Sequence, residues 1–350
     1  MKKVSYNEHY IGYDLGSVEG YKYDVMIGEF GNPIIAIKLK NIVQQYSADK
    51  ELYLKYHTIF QNIISIIGEG HIVQKLDIFD KKKYSAEKND AYLQNTYSEH
   101  FDGRIYKTIE TVITFTHIVN KSLKKKAYAY SEKKYKSLRD KVEKVFLLLE
   151  QNKFEPEYLL EKDFEYYVKA HKSMNYDKDK HSIDNIASFP THLKIGKNFV
   201  QAISYVDVER IVLPNTIDTY STLGGNNATK DTAVDNFSFI NSLEHYNTIT
   251  YLQVIYIPVQ AERSKFLANK KNKHMGFATE PANRISADEI DLLLDNVAKD
   301  GQLIVDAHFS LIISCGSTVD LEATRSMIDN QLFAKSIDTN DSAFNQLELF

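Results

Sequence analysis

The stretch TIETVITFTHIV, residues 108–119, decides the fold. Thr, Val and Ile fill most of its positions, and their branched Cβ atoms favour the pleated, extended backbone. It predicts a long strand. N-terminal to it, Tyr21, Tyr23, Val25 and Ile27 alternate with other residues, Gly28 to Pro33 supplies turn chemistry, and Ile34 to Leu39 returns, so residues 20–40 read as a hairpin. Leu52, Tyr56, Ile59, Phe60, Ile63 and Ile67 recur at three and four residues. They predict a helix from an N-cap at Ser47 to a stop at Gly68 and Gly70. His71 to Leu76 begins another strand, and Tyr84 to Phe101 reads as a helix ended by Gly103. The order ββαβαβ in residues 20–120 predicts an α+β layer, a sheet with helices on one face.

C-terminal to the opening stretch the composition shifts. Residues 121–144 hold ten Lys or Arg against three acids, while Val142, Val145, Phe146 and Leu149 give the segment one apolar face with which to dock. A further helix is expected over 155–171, then a charged connector over 172–184. Short strands follow at Leu193 to Ile195, Phe199 to Val206 and Ile211 to Pro214, with an exposed loop at 215–235 around Gly224-Gly225-Asn226-Asn227. The last unit reads as a strand at Ile249 to Val259, a helix at 285–299, a strand at Gln302 to Cys315, a helix at 319–332, a short strand at 333–337 and a helix begun at 341–350. The expected fold is therefore α+β, two small sheet-plus-helix units joined by a helical, lysine-rich middle. The domains would be 1–120, 121–190 and 191–350.

A chain of 350 residues suits two or three domains of roughly 100–200 residues each. The net charge of −4 is small for this size and marks neither a nucleic-acid binder nor an acidic disordered chain. Trp is absent and Tyr abundant, so aromatic packing rests on Tyr and Phe. Cys315, the single cysteine, excludes an internal disulfide and lies in an apolar run, where it reads as a buried structural thiol. The start has two lysines without an apolar stretch behind them, so it does not read as a signal peptide. No run approaches the ~20 apolar residues that span a bilayer. A cytoplasmic protein is expected.

Motifs for chemistry do not assemble. A phosphate-cradling loop needs G-x-x-x-x-G-K-[ST], because its glycines free backbone N–H groups and its lysine meets the terminal phosphates. Gly224 to Lys230 lacks the second glycine, and Gly196-Lys197-Asn198 lacks the upstream glycine and the hydroxyl residue. Eleven histidines are present, none in metal-ligand spacing. His245 and His308 read as structural residues at or within apolar strands. Glu99-His100 reads as a local interaction at a helix end, and Ser310, Ser314 and Ser317 have no nucleophile elbow around them. No catalytic, cofactor-binding or metal-binding residue is assigned. The basic stretch 121–144 reads mainly as a solvated face, with contact to DNA backbone or an anionic membrane surface as its functional alternative.

Several segments together resemble the N-terminal region of TraG-type proteins, the conjugative-transposon ATPases of type IV secretion. They are Asp24 to Ile27 with Gly31 to Ala36, His71 to Phe79, and Tyr84 to Glu87 with Tyr97 to Arg104. Phe199 to Leu213 and Ala343 to Phe350 complete the set. The resemblance runs from about residue 20 to 350 and rests on the order and spacing of these segments. In that family a P-loop motor follows, whereas this sequence stops at Phe350. The resemblance implies a non-catalytic docking and assembly region, with neither a cofactor nor ATPase activity of its own, acting in conjugative DNA transfer. It would sit at the cytoplasmic face of the inner membrane. Its expected partners are inner-membrane secretion components and its own motor domain, with homo-oligomer formation and peripheral membrane contact left open. An independent nucleic-acid-binding protein using residues 121–144 is the competing expectation. Because no motor follows, Phe344, Leu347, Leu349 and Phe350 are expected as an exposed, frayed amphipathic turn.

Overall fold

The computed structural model describes residues 10–18, 21–28, 31–40, 49–86, 92–118, 132–176, 185–204, 221–222, 233–234, 237–277, 279–335, 337–339 and 344–350. The strands are β1 (Tyr10–Val18), β2 (Tyr21–Gly28), β3 (Pro33–Leu39), β4 (His71–Lys83), β5 (Ile105–His117), β6 (Pro156–Tyr158), β7 (Ile186–Ser188), β8 (Leu193–Ile195), β9 (Asn198–Ser204), β10 (Ser221–Thr222), β11 (Ala233–Val234), β12 (Thr248–Ile257) and β13 (Asp306–Cys315). The helices are α1 (Lys50–Ile67), α2 (Tyr92–Phe101), α3 (Glu132–Gln151), α4 (Glu161–Ser173), α5 (Gln260–Gly276), α6 (Pro281–Asp300), α7 (Thr318–Phe333) and α8 (Gln346–Leu349).

The α+β class holds, and, apart from β10 and β11, which pair only with each other, the strands of the two expected units share one sheet. Its order is β1-β2-β3-β5-β4-β12-β13-β9-β8-β7, with β6 beside β3 and every pairing antiparallel. The join is β4 with β12, paired from Asp80↔Thr248 to His71↔Ile257. A separate N-terminal sheet would leave β4 as a long bare edge, and β12 satisfies that row of backbone groups. The opening stretch lies in β5, which pairs with β4 over all of that strand, from His71↔His117 to Lys83↔Ile105.

Helices cover both faces of the sheet, where one covered face was expected. On one face Ile35, Ile37, Val73, Ile113 and Phe115 meet Tyr56, Ile59 and Ile63 of α1, together with Val142, Val145 and Leu149 of α3. Further along that face Ile249, Leu311, Ile313 and Ile203 meet Leu321, Ile328 and Leu332 of α7. On the other face Ala36 and Val112 pack against Phe164 of α4, and Val200, Ala202 and Ile312 meet Met174 and the side chains of α8. Alternation explains the division, because successive strand residues point to opposite faces.

Local departures from the sequence reading have local causes. Asp49 caps α1, its Oδ1 accepting from the N–H groups of Glu51 at 2.9 Å and Leu52 at 3.0 Å; Ser47 lies outside the described residues. Tyr84 continues the β4–β5 hairpin instead of starting a helix, its N–H donating to Arg104 at 2.8 Å and its carbonyl accepting from Gly103 at 2.9 Å. The helix expected from 155 starts only at Glu161, because β6 pairs with β3 first. α7 runs through Phe333, and residues 337–339 form no strand. The expected strand at 211–214 and most of the 215–235 loop lie outside the described residues. α5 was not foreseen. Among the described residues no helix is long and apolar enough to cross a membrane.

Candidate functional site

At one end of the sheet the last residues of β4, the start of β12, the end of β13 and the β8–β9 turn converge on an open cleft of about 1080 Å³. Strand geometry brings them there: β4 continues beyond its last partner on β12, Asp80↔Thr248; the Lys81 N–H still donates to the Asn247 carbonyl at 3.3 Å, and Lys82 and Lys83 overhang beside β5. Most of its polar groups are engaged. Lys81 Nζ donates to the Glu244 carbonyl, and the neighbouring Lys107 donates to the carbonyls of Asn241 at 2.6 Å and Leu243 at 2.8 Å. Both ammonium groups flank the Tyr246 ring, at 4.5 and 5.9 Å from its centroid. Lys107 thus caps the end of the 3-10 turn Ser238–Ser242 through Asn241 and its C-cap Leu243, and Lys81 holds the following residue, Glu244. Burial, and then the charge of Lys107, hold the Lys81 amine below the usual lysine range.

Asp80 accepts from Thr248 Oγ1 at 3.0 Å. Asp320 closes the N-terminal cap of α7: Ser317 Oγ donates to its carboxylate at 2.7 Å and accepts its N–H at 3.1 Å. His245 Nδ1 stands 3.8 Å from that carboxylate. The buried hydroxyls of Tyr176 and Tyr246 have no hydrogen-bond partner among the described residues, and burial pushes the Tyr246 phenol up to about 12. These contacts form, among the described residues, a polar groove without a paired nucleophile and base. Among the described residues no group of three His, Cys, Asp or Glu could hold a metal ion.

The residues weighed from sequence fall into structural settings. Cys315 is fully buried against α7, and burial pushes its thiol up to about 11. His308 is half-buried in β13, where burial lowers its pKa. His100 accepts from Arg104 at 3.0 Å and stands edge-on to Phe101, the local helix-end interaction expected of it. Gly196 has φ 57° in the tight β8–β9 turn, and Lys197 is exposed at the cleft rim. Of the basic stretch, residues 121–131 lie outside the described residues, and the remainder is the first half of α3. There Lys141 Nζ donates to the Ile67 carbonyl at 2.6 Å and caps α1, and Arg139 pairs with Asp140 at 2.9 Å. Lys133, Lys136 and Lys144 are exposed.

Among the described residues, the α5–α6 hairpin, which connects β12 to β13, carries several exposed apolar side chains. Its seam is closed by the half-buried Leu267, Ile290 and Leu294 and the buried Ala287, with a Lys271–Asp291 ion pair at 2.5 Å. The bend is pinned by Asn283, which bonds His274 at 2.9 Å and the Phe277 carbonyl at 3.4 Å. Its base is held by Gln260, which donates to the Ile304 carbonyl at 2.9 Å and accepts its N–H at 2.8 Å, and by an Arg263–Asp306 ion pair. Away from the seam Phe266, Phe277, Ile285, Leu292 and Leu293 stand exposed, Phe277 by 69% and Leu292 by 64%. Several large apolar side chains exposed on one hairpin are characteristic of a contact surface.

No protein-family model matches this chain, and a search of curated proteins finds no significant match.

Proposed function

We propose that this chain is a non-catalytic docking and assembly region of the TraG type, acting in conjugative DNA transfer at the cytoplasmic face of an inner membrane. It would hold a conjugation motor against the membrane-embedded secretion components. The observation that carries this reading is the α5–α6 hairpin, whose exposed apolar side chains are joined to a sheet covered by helices on both faces. The order of the TraG-like segments supports it as well: Asp24 to Ile27, His71 to Phe79 and the start of Phe199 to Leu213 fall on β2, β4 and β9 of that sheet. The test is co-purification of the chain with the inner-membrane components of a conjugative secretion apparatus. Capture of the chain with these components is the expected result. Absence of capture, or magnesium-dependent ATP turnover abolished by a substitution in this chain, would count against it.

A further inference from the structure

We infer that the α5–α6 hairpin is a self-association element whose partner is the same hairpin of a second copy of this chain. The argument starts from its charges. α5 carries five Lys or Arg against one acid, whereas α6 carries five acids against two bases. Few of these charges are satisfied internally. Among the described residues, Lys265, Lys270 and Lys273 on α5 and Asp288 and Glu289 on α6 have no ion-pair partner.

Helical spacing gathers these unsatisfied charges with the exposed apolar residues. Phe266, Lys270, Lys273 and Phe277 are separated by four, three and four residues, so they share one side of α5 and its C-terminal cap. Ile285, Glu289 and Leu292 repeat the pattern on α6. One helix thus presents aromatic rings with lysines, and the other presents aliphatic side chains with a carboxylate.

A two-fold axis parallel to the hairpin lays α5 of one copy antiparallel on α6 of the other, and α6 on α5, in a four-helix arrangement. Such a rotation preserves height along the helices, and the Lys271–Asp291 pair fixes which residues are level. Phe277 of one copy then meets Ile285 of the other, Lys273 faces Glu289, and Phe266 lies about one turn from Leu292 and Leu293. Pairing α5 with α5 would oppose lysines to lysines, so the charge pattern selects the crossed arrangement.

This inference rests on reading the hairpin as a protein-contact element. The experiment is sedimentation equilibrium of the full chain over a concentration series, with circular dichroism to verify folding. The wild-type chain is expected to dimerise. Lys273→Glu alone and Glu289→Lys alone should each weaken the dimer at least about tenfold, because each creates two like-charge contacts. An equimolar mixture of these two variants restores both opposite-charge contacts and should form a heterodimer. A wild-type chain that stays monomeric, single variants that dimerise as well as wild type, or a mixture no better than its components would each overturn the inference. Capture of secretion components by the monomeric variants would show the docking reading intact on its own.

Discussion

Gln346 uses both ends of its side-chain amide on one residue: Oε1 accepts from the Ala202 N–H at 2.7 Å, and Nε2 donates to the Ala202 carbonyl at 3.2 Å. β8 pairs with β9 only as far as Val200, so beyond it the amide stands where the next strand's backbone would. Gln346 is fully buried, and Leu347, Leu349 and Phe350 pack against the cluster of Met174, Val200 and Ile312. The terminal turn is therefore docked where the sequence suggested fraying, although Phe344 remains exposed.

Gln346→Ala is expected to cost about 1–3 kcal/mol, because it strands two buried backbone groups of β9. Urea denaturation would measure the loss. Hydrogen exchange should show the Ala202 amide and the amides of 348–350 protected in the parent and fast in the variant. Fast exchange in the parent would restore the frayed reading.

Stability should fall on mild acidification. Burial lowers the pKa of His171, whose ring stacks on Phe350, and it also lowers those of His71 and His308. For such a group the unfolded chain binds more protons than the native one between the two pKa values, so stability rises with pH across that window. The contribution is complete above about 6.5 and is lost as pH falls from there towards the folded pKa values. His171→Phe keeps an aromatic ring on Phe350 and removes one titrating site. It should flatten, without abolishing, the decline in urea midpoint between neutral pH and pH 5. An unchanged slope would mean that His171 is not held neutral.

Much of this architecture could be read from local pattern. The four apolar positions of α3 named from spacing, Val142, Val145, Phe146 and Leu149, are all buried. So are most of those on α1, with Leu52 exposed and Phe60 partly buried. The pairing of β4 with β12 was not legible, since the alternation in either strand fits any partner and nothing local selects one some 170 residues away. α5 escaped notice because only its seam with α6 is covered, leaving lysines and Phe266 outside and blurring the apolar period. The cleft was hidden for a related reason. Asp80, Lys81, Tyr176, Lys197, Tyr246 and Asp320 come from separate stretches, and none carries a motif by itself.

The lysines of α3 separate structure from a nucleic-acid role. Lys141→Met should cost about 1 kcal/mol, since it removes the donor that satisfies the Ile67 carbonyl. Reversing the exposed Lys133, Lys136 and Lys144 to Glu should change stability by no more than about 0.5 kcal/mol. On the docking reading, a random DNA duplex binds no more tightly than the non-specific range of about 10⁻⁴–10⁻⁶ M at physiological salt. Fluorescence anisotropy over a salt series would measure this. Tighter binding that the triple reversal removes would move the function to nucleic acid.

The ion pair of Lys75 and Asp77 offers the sharpest energetic test. Both lie on the sheet face covered by α1, α3 and α7, and their side chains are only 6% and 1% exposed. Thr111, directly across on β5, donates to Asp77 Oδ1 at 2.6 Å, and Lys75 Nζ stands 5.8 Å from the Phe60 ring centroid. Taking both charges from water is costly, and their mutual attraction offsets that cost only while both are present. Asp77→Ala should therefore destabilise by about 3–5 kcal/mol, because it leaves a buried ammonium without its carboxylate. Lys75→Met should also destabilise, and less, because Asp77 retains the Thr111 hydroxyl. The double variant Lys75→Met with Asp77→Leu replaces the pair by apolar groups and should recover most of the loss, so the effects will be far from additive. Urea denaturation of the parent, both single variants and the double variant completes the cycle. Additive losses would mean that the two side chains act independently, and that water reaches one of them in the folded chain.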